Sequence, residues 1–292
     1  MYKIKNILVL GSAGQIGSAL TLHLKNKGYN VIEFDIENDK NQDLRIPNVL
    51  SNLITRVDFV VFLAFDVGGS IYLNKYQNSF DFISNNMKIM ANTFETLKIY
   101  KTPFIFASSQ MTNLINSSYG ILKNIGEQYT KTLKNGKIAK FWNVYGHEKN
   151  LEKSHVITDF ILMAKNNNHI KIKTSGKEKR QFLYSEDCSE CLTILMEKFE
   201  NIQGKSFDVS NFSWHSINEV AIEVASNFTG CKISSGKYID DLQREKLPDP
   251  TTEILEYWQP KTLLSNGIKK IIKHYDVNQR KSIYKDGSLL SR

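Results

Sequence analysis

Three cysteines in 292 residues are too few, and odd in number, for a disulfide framework. They stand at Cys188, Cys191 and Cys231. Cys188-Ser-Glu-Cys191 has a redox spacing but no thioredoxin-like context, and it is read as two reduced thiols on a helix opening after Asp187. With no leader segment read at the start, a reducing, cytoplasmic setting is expected. Prolines number five and no stretch is of low complexity, so neither a linker nor an internal repeat divides the chain. No apolar run is long enough to span a bilayer, which excludes a helical membrane protein. The net charge of +8 is scattered over many lysines. Without a recognition motif or interleaved aromatics, that charge argues against nucleic acid and leaves a basic surface biased toward anionic substrates. No metal is expected.

What is present begins with an ordered opening. Asn6–Leu10 is a short apolar run of buried-strand type, followed by Gly11, Gly14 and Gly17 around Gln15 and Ile16. An amphipathic stretch then runs to Lys27, with Gly28 as its stop signal. Glycines here allow a tight turn and close approach of a pyrophosphate to a helix N-terminus. The next strand, Tyr29 to Asp35, ends in an acid at the distance expected for a ribose contact. Such an acid accepts from the 2′-hydroxyl and repels a 2′-phosphate, so NAD(H) is expected over NADP(H).

Strand and helix continue to alternate. Val57–Phe65 is apolar on both faces, as in a covered parallel sheet. Asn85–Tyr100 reads as a helix, Thr102–Ser109 as a strand, and Lys137–Gly146 as a further strand. The pattern predicts an α/β fold with a doubly wound parallel sheet of Rossmann type and a smaller C-terminal substrate-binding lobe. The sheet domain is expected over 1–146 and 182–212, the lobe over 147–181 and 213–292. Tyr119-Gly-Ile-Leu-Lys123 puts a phenol and an ammonium one helical turn apart. A nearby ammonium favours the phenolate, so the pair can take a proton from a sugar hydroxyl.

These features occur in a fixed order with Asp43-Leu44-Arg45, Leu63-Ala64, Ser108-Ser109 and Asn143-Val-Tyr-Gly146. Together they resemble the extended short-chain dehydrogenase/reductases, the nucleotide-sugar epimerases and dehydratases. Arg180–Asp187 is similar to that family's segment returning to the sheet, and Tyr257-Trp-Gln-Pro260 with Leu263–Tyr275 to its closing helix. The resemblance implies that Tyr119, Lys123 and Ser109, with Ser108 as neighbouring candidate, do the chemistry. Gly11, Gly14, Gln15, Ile16, Gly17, Asp35, Asp43, Leu44, Leu63, Ala64 and Asn86, together with Tyr119 and Lys123, are expected to hold NAD. A homodimer or higher homo-oligomer through 85–100 and 119–133 is expected by analogy.

Asp66-Val-Gly-Gly-Ser70, Phe80–Asn86 and Ser154-His-Val-Ile157 resemble the GDP-fucose synthase branch, where the histidine is an acid in epimerisation. The likeness implies a GDP-linked substrate, with Val67, Gly68, Gly69, Asn143, His155 and Arg180 on the substrate side. Gly68 and Gly69 would let the backbone lie against the sugar. Arg180 would grip the pyrophosphate.

Departures narrow the chemistry. Met111 stands where that branch has its second epimerisation group, a cysteine, and a thioether exchanges no protons. Gln110-Met111 also replaces the Asp-Glu pair of the dehydratases. What survives is oxidation and reduction at sugar C4. The expectation is a GDP-hexose or GDP-heptose 4-dehydrogenase for surface-polysaccharide synthesis. The alternatives are a C4 epimerase and a non-catalytic dinucleotide sensor. Only ten positions separate Ser109 from Tyr119. The site should therefore be open on that side or closed by another segment.

Overall fold

The computed structural model describes residues 4–238 and 248–285, with side chains described as far as Tyr275 in the last helix. The expected lobe thus includes positions 239–247 and 286–292, which lie outside the described residues. In chain order the elements are β1 (Asn6–Leu10), α1 (Gln15–Asn26), β2 (Asn30–Phe34), α2 (Ser51–Ile54), β3 (Phe59–Phe62), α3 (Ser70–Tyr76), α4 (Phe80–Tyr100) and β4 (Phe104–Ser109). Then come α5 (Ser118–Thr132), β5 (Gly136–Phe141), β6 (Val144–Tyr145), α6 (Val156–Asn167), β7 (His169–Thr174), β8 (Lys179–Gln181) and β9 (Leu183–Tyr184). The last are α7 (Ser185–Glu197), β10 (Ser206–Val209), β11 (Trp214–Ser216), α8 (Ile217–Ala225), β12 (Lys232–Tyr238) and α9 (Leu264–Lys285).

Six strands form one parallel sheet in the order β2-β1-β3-β4-β5-β10. Its strands are apolar on both faces because both faces are covered. Ile7, Val9, Phe59, Val61 and Ile105 point into a core closed by α1 and α7. Leu8, Leu10, Val60, Phe62, Phe104 and Phe106 point into a second core under α4 and α5. This is the Rossmann-type α/β fold expected. The order reverses at β1, so connections diverge beyond the carboxyl ends of β1 and β3 and leave a crevice there. A third core gathers α6, α8 and α9 around Ile170 and Ile172 of β7, Phe182 before β9 and Tyr184 in it.

Three boundaries differ from expectation. The long helix starts at Phe80 because Ser79 accepts a hydrogen bond from Phe82 N at 3.2 Å and caps it. Cys188 and Cys191 lie inside α7, which opens at Ser185. Both are free and fully buried, and burial pushes their thiols up, so neither is a thiolate at neutral pH. The expected strand Lys137–Gly146 is two strands. Trp142 N still bonds Val209 O (3.2 Å), but Asn143 O accepts from Leu183 N (3.0 Å). From there β6 pairs with β9 outside the main sheet. Among the described residues no helix is long and apolar enough to cross a membrane.

Candidate active site

The crevice widens into a cleft of ≈ 1920 Å³ between the sheet's carboxyl edge and the third core. Single small-ligand sites usually measure about 300–1000 Å³, so this one has room for two ligands. Every residue expected at the site lines it except Asn86.

At one end stands the glycine turn. Gly11 has φ +85°, and a Cβ there would lie 2.6 Å from Ala64 N. At Gly17 a Cβ would lie 2.0 Å from Gly11 O. Only glycine lets the turn fold onto β3 and lets α1 start directly from it. Gly14 is the N-cap of α1 and no side chain caps that helix, so its first amides stay available to an anion. Asp35 Oδ2 accepts from Ala13 N and Oδ1 from Glu37 N, each at 2.9 Å. The carboxylate thus fixes the turn and keeps lone pairs for a vicinal diol. Asp43 is gripped by Arg45 through three bonds of 2.8–3.1 Å, which hold its carboxyl below the usual range. Leu44 is buried beside it. An uncapped helix start, a turn bounded by glycines and an acid with spare lone pairs fit a dinucleotide.

Asn86 does other work. It is fully buried, its Oδ1 accepts from Asp66 N (2.7 Å), and its Nδ2 donates to Asp66 O (3.1 Å) and Phe82 O (3.0 Å). These bonds all go to backbone, so it shapes the loop after β3 from below the cleft lining.

On the cleft floor the Tyr119 phenol has the Ser109 hydroxyl as its polar neighbour, and Ser109 Oγ accepts from Met111 N at 3.2 Å. Gly120 makes this possible: a Cβ there would lie 2.2 Å from Met111 O, so α5 docks directly on the Gln110–Asn113 turn. Ser117 caps α5 and also donates to Gln77 Oε1 (2.9 Å). The short Ser109–Tyr119 connection is this compact turn. Ser108 spends its hydroxyl on buried Glu127, donating at 2.7 Å. Lys123 Nζ donates to Ala107 O at 2.8 Å and lies over the Phe65 ring. Burial pushes Tyr119 up to about 12, with Ser109 drawing it back, and pushes Lys123 down to about 7. Lys123 is 5.9 Å from the Tyr119 ring centre.

The opposite wall holds His155 and Arg180. His155 precedes α6 and its Nδ1 is 2.5 Å from Glu148 Oε1. Arg180 is buried, with Nη1 donating to Lys179 O at 2.8 Å. Asn143 Nδ2 donates to Gln181 O (3.2 Å). Gly68 and Gly69 line the cleft, and their missing side chains leave room for the chain itself. A Cβ on Gly68 would meet Tyr72 at 2.9 Å, and one on Gly69 would lie 2.0 Å from Ser154 O. Gly69 N also bonds Lys153 O (3.0 Å), and Lys153 Nζ bonds Asp66 Oδ1 (2.8 Å). The loop after β3 is therefore stapled to the segment before α6. That contact closes a rim of the cleft by a segment other than the short connection.

Glu148, Asp159 and the Asp66–Lys153 pair escaped the sequence reading. Only the position of Glu148 two residues past Gly146 could have drawn notice.

Comparison with known proteins fits this geometry. A probable GDP-L-fucose synthase of Drosophila melanogaster is 26% identical, over 94% of this chain and 99% of its own length. UDP-glucuronic acid decarboxylase 4 of Arabidopsis thaliana is 24% identical, over 94% of this chain and 69% of its own. An epimerase of Methanothermobacter thermautotrophicus has the same fold, with a TM-score of 0.83 at 21% identity over 96% of this chain and 94% of that one. The model of the NAD dependent epimerase/dehydratase family matches residues 7–210, a span that starts in β1, takes in the glycine turn, Tyr119 and Lys123, and ends just past β10. By that match the chain belongs to the NAD dependent epimerase/dehydratase family.

Proposed function

We propose that the chain oxidises C4 of a GDP-linked hexose or heptose and releases the 4-keto sugar. The observation that carries this reading is the Tyr119–Ser109 hydroxyl pair on the cleft floor, with Met111 buried beside it. NAD, when bound along the glycine turn and Asp35, supplies the hydride acceptor. Ser109 holds the sugar hydroxyl and Tyr119, as phenolate, takes its proton. Burial keeps Tyr119 a phenol at neutral pH, so oxidation should quicken as pH rises toward about 12. Met111 lies on this wall at 7% exposure and carries no exchangeable proton. That supports stopping at the ketone over remodelling neighbouring carbons. Arg180 and His155 on the far wall suit a diphosphate-linked sugar. The GDP assignment is supported by the Asp66–Ser70 and Ser154–Ile157 motifs and by the GDP-L-fucose synthase likeness.

A homodimer is supported by an apolar stripe on α4, where Phe80 (81% exposed), Ile83 and Met87 follow helical spacing. Ile121 and Tyr129 are exposed on neighbouring α5.

The test is incubation with NAD⁺ and GDP-, UDP- and dTDP-sugars, following NADH absorbance and product. NADH accumulating with a 4-keto GDP-sugar is expected. A C4 epimer without net NADH would make the enzyme an epimerase, and preference for a UDP-sugar would remove the GDP assignment. Equal turnover by Tyr119→Phe would sink the base assignment.

A further inference from the structure

We infer that Glu148 is a positioning residue that holds His155 as an imidazolium, with one ring N–H fixed on the Glu148 carboxylate and the other presented to the substrate. This rests on the nucleotide-sugar reading of the cleft only for the identity of the substrate.

The geometry comes first. Glu148 is 6% exposed, yet it lines the cleft. Its Oε2 accepts from the His155 backbone N at 3.0 Å, and Oε1 meets His155 Nδ1 at 2.5 Å. Thr158, one helical turn further along α6, also draws this carboxyl below its ordinary value. Its backbone is fixed from the other side, since Glu148 N bonds Tyr275 Oη (3.4 Å) and Tyr275 Oη donates to Glu148 O (3.2 Å). Both ends of the pair are thus held, by α6 and by α9.

Chemistry then assigns the protons. A buried carboxylate needs a cationic partner. The group in contact with Glu148 that can supply a positive charge is His155. Other charged groups surround the pair. Asp159, on α6, adds a second acid and is hydrogen-bonded by Ser154, while Lys173 of β7 acts on Asp159. His147 sits behind Glu148 against His274 of α9, with Lys149 nearby. Two carboxylates act on the imidazole, and burial opposes them. The balance favours charge: His155 lies above its ordinary value through Glu148 and Asp159, and Glu148 below its own through the hydrogen bonds from His155. The side chain of His155 is 38% exposed, so its free edge meets the cleft. A neutral ring could present either a donor or an acceptor there, whereas an imidazolium presents only a donor. The substrate group it suits is an oxygen of full or partial negative charge.

The test is an NMR pH titration of ring-labelled histidine in the full chain, with His155→Gln identifying the signal among six histidines. The expected midpoint for His155 is above about 6.5, the unperturbed value. Glu148→Gln should lower it by about one unit or more. The rise in KM for the nucleotide sugar should move to lower pH by the same amount, with the alkaline dependence of kcat on Tyr119 unmoved. Glu148→Asp keeps the charge and should keep the midpoint raised. A wild-type midpoint at or below about 6.5 overturns the inference, and so does a folded Glu148→Gln variant with an unmoved midpoint. The titration needs no turnover. An inactive enzyme, or one that prefers another sugar, would therefore strike the functional reading and leave this one standing.

Discussion

Lys123 carries its nitrogen 3.8 Å from the centre of the Phe65 ring, a cation held by a π face and one carbonyl instead of by a carboxylate. Burial without a counter-charge makes this lysine a source of instability. Its pKa is about 7 in the folded chain against an ordinary 10.5. Between those values the unfolded chain binds more protons, so stability rises with pH across that range, and the full penalty is present below it. The shift corresponds to roughly 4 kcal/mol at neutral pH, and Lys123→Met also strands the Ala107 carbonyl for about 1–2 kcal/mol. Lys123→Met should therefore melt higher than wild type at pH 7, with the advantage shrinking toward pH 10, while turnover collapses. Thermal unfolding at both pH values checks this.

Adjacent serines should behave oppositely. Ser109→Ala removes the hydroxyl that draws Tyr119 back toward the phenolate, so the alkaline limb of kcat should shift to higher pH and turnover at pH 8 fall ~10- to 100-fold. Ser108→Ala touches only Glu127, which keeps Lys140 at 3.2 Å and Lys131 at 3.6 Å. It should lower stability by about 1–2 kcal/mol and leave the pH profile of turnover in place.

The contrast shows which features were legible in the sequence. Gly11, Asp35, Tyr119 and Lys123 are brought to the cleft by short-range geometry, a turn or one helical step, and such geometry is written in spacing. The six-stranded sheet was legible for the same reason, since strands covered on both faces read as apolar runs. Asn86 lies off the cleft lining, a placement its letter does not announce, since an amide bonded to backbone reads the same as one that meets a ligand. Gly68 and Gly69 signalled close approach correctly, but not that the approaching group is the chain itself at Lys153 and Ser154. The break after Trp142 was hidden because two short strands in line look like one long strand. Glu148 gains its role only when the loop brings it back to His155, seven positions on.

Gly69→Ala should cost about 1–3 kcal/mol of stability, because its Cβ would meet Ser154 O at 2.0 Å and must push the two segments apart. His155 follows Ser154, so KM for the nucleotide sugar should rise more than kcat falls. Urea unfolding and steady-state kinetics read the two effects separately. An alanine variant with wild-type stability would mean that the contact is loose.

Asp35→Ser should raise KM for NAD about tenfold and make NADP usable, since the repelling charge is gone. It should also loosen the turn, because Ala13 N and Glu37 N lose their shared acceptor. The ratio of kcat/KM for the two cofactors measures the first effect. Hydrogen exchange at Ala13 measures the second.

The Asp66–Lys153 pair is only partly exposed, at 25% and 36% of side-chain surface, and joins residues on facing walls of the cleft. Ion pairs that water can reach weaken as salt rises, over a screening length of about 8 Å at physiological strength. Traffic through the cleft is thus tied to the ionic medium: added salt should hasten departure of a bulky product before it alters any bond-breaking step.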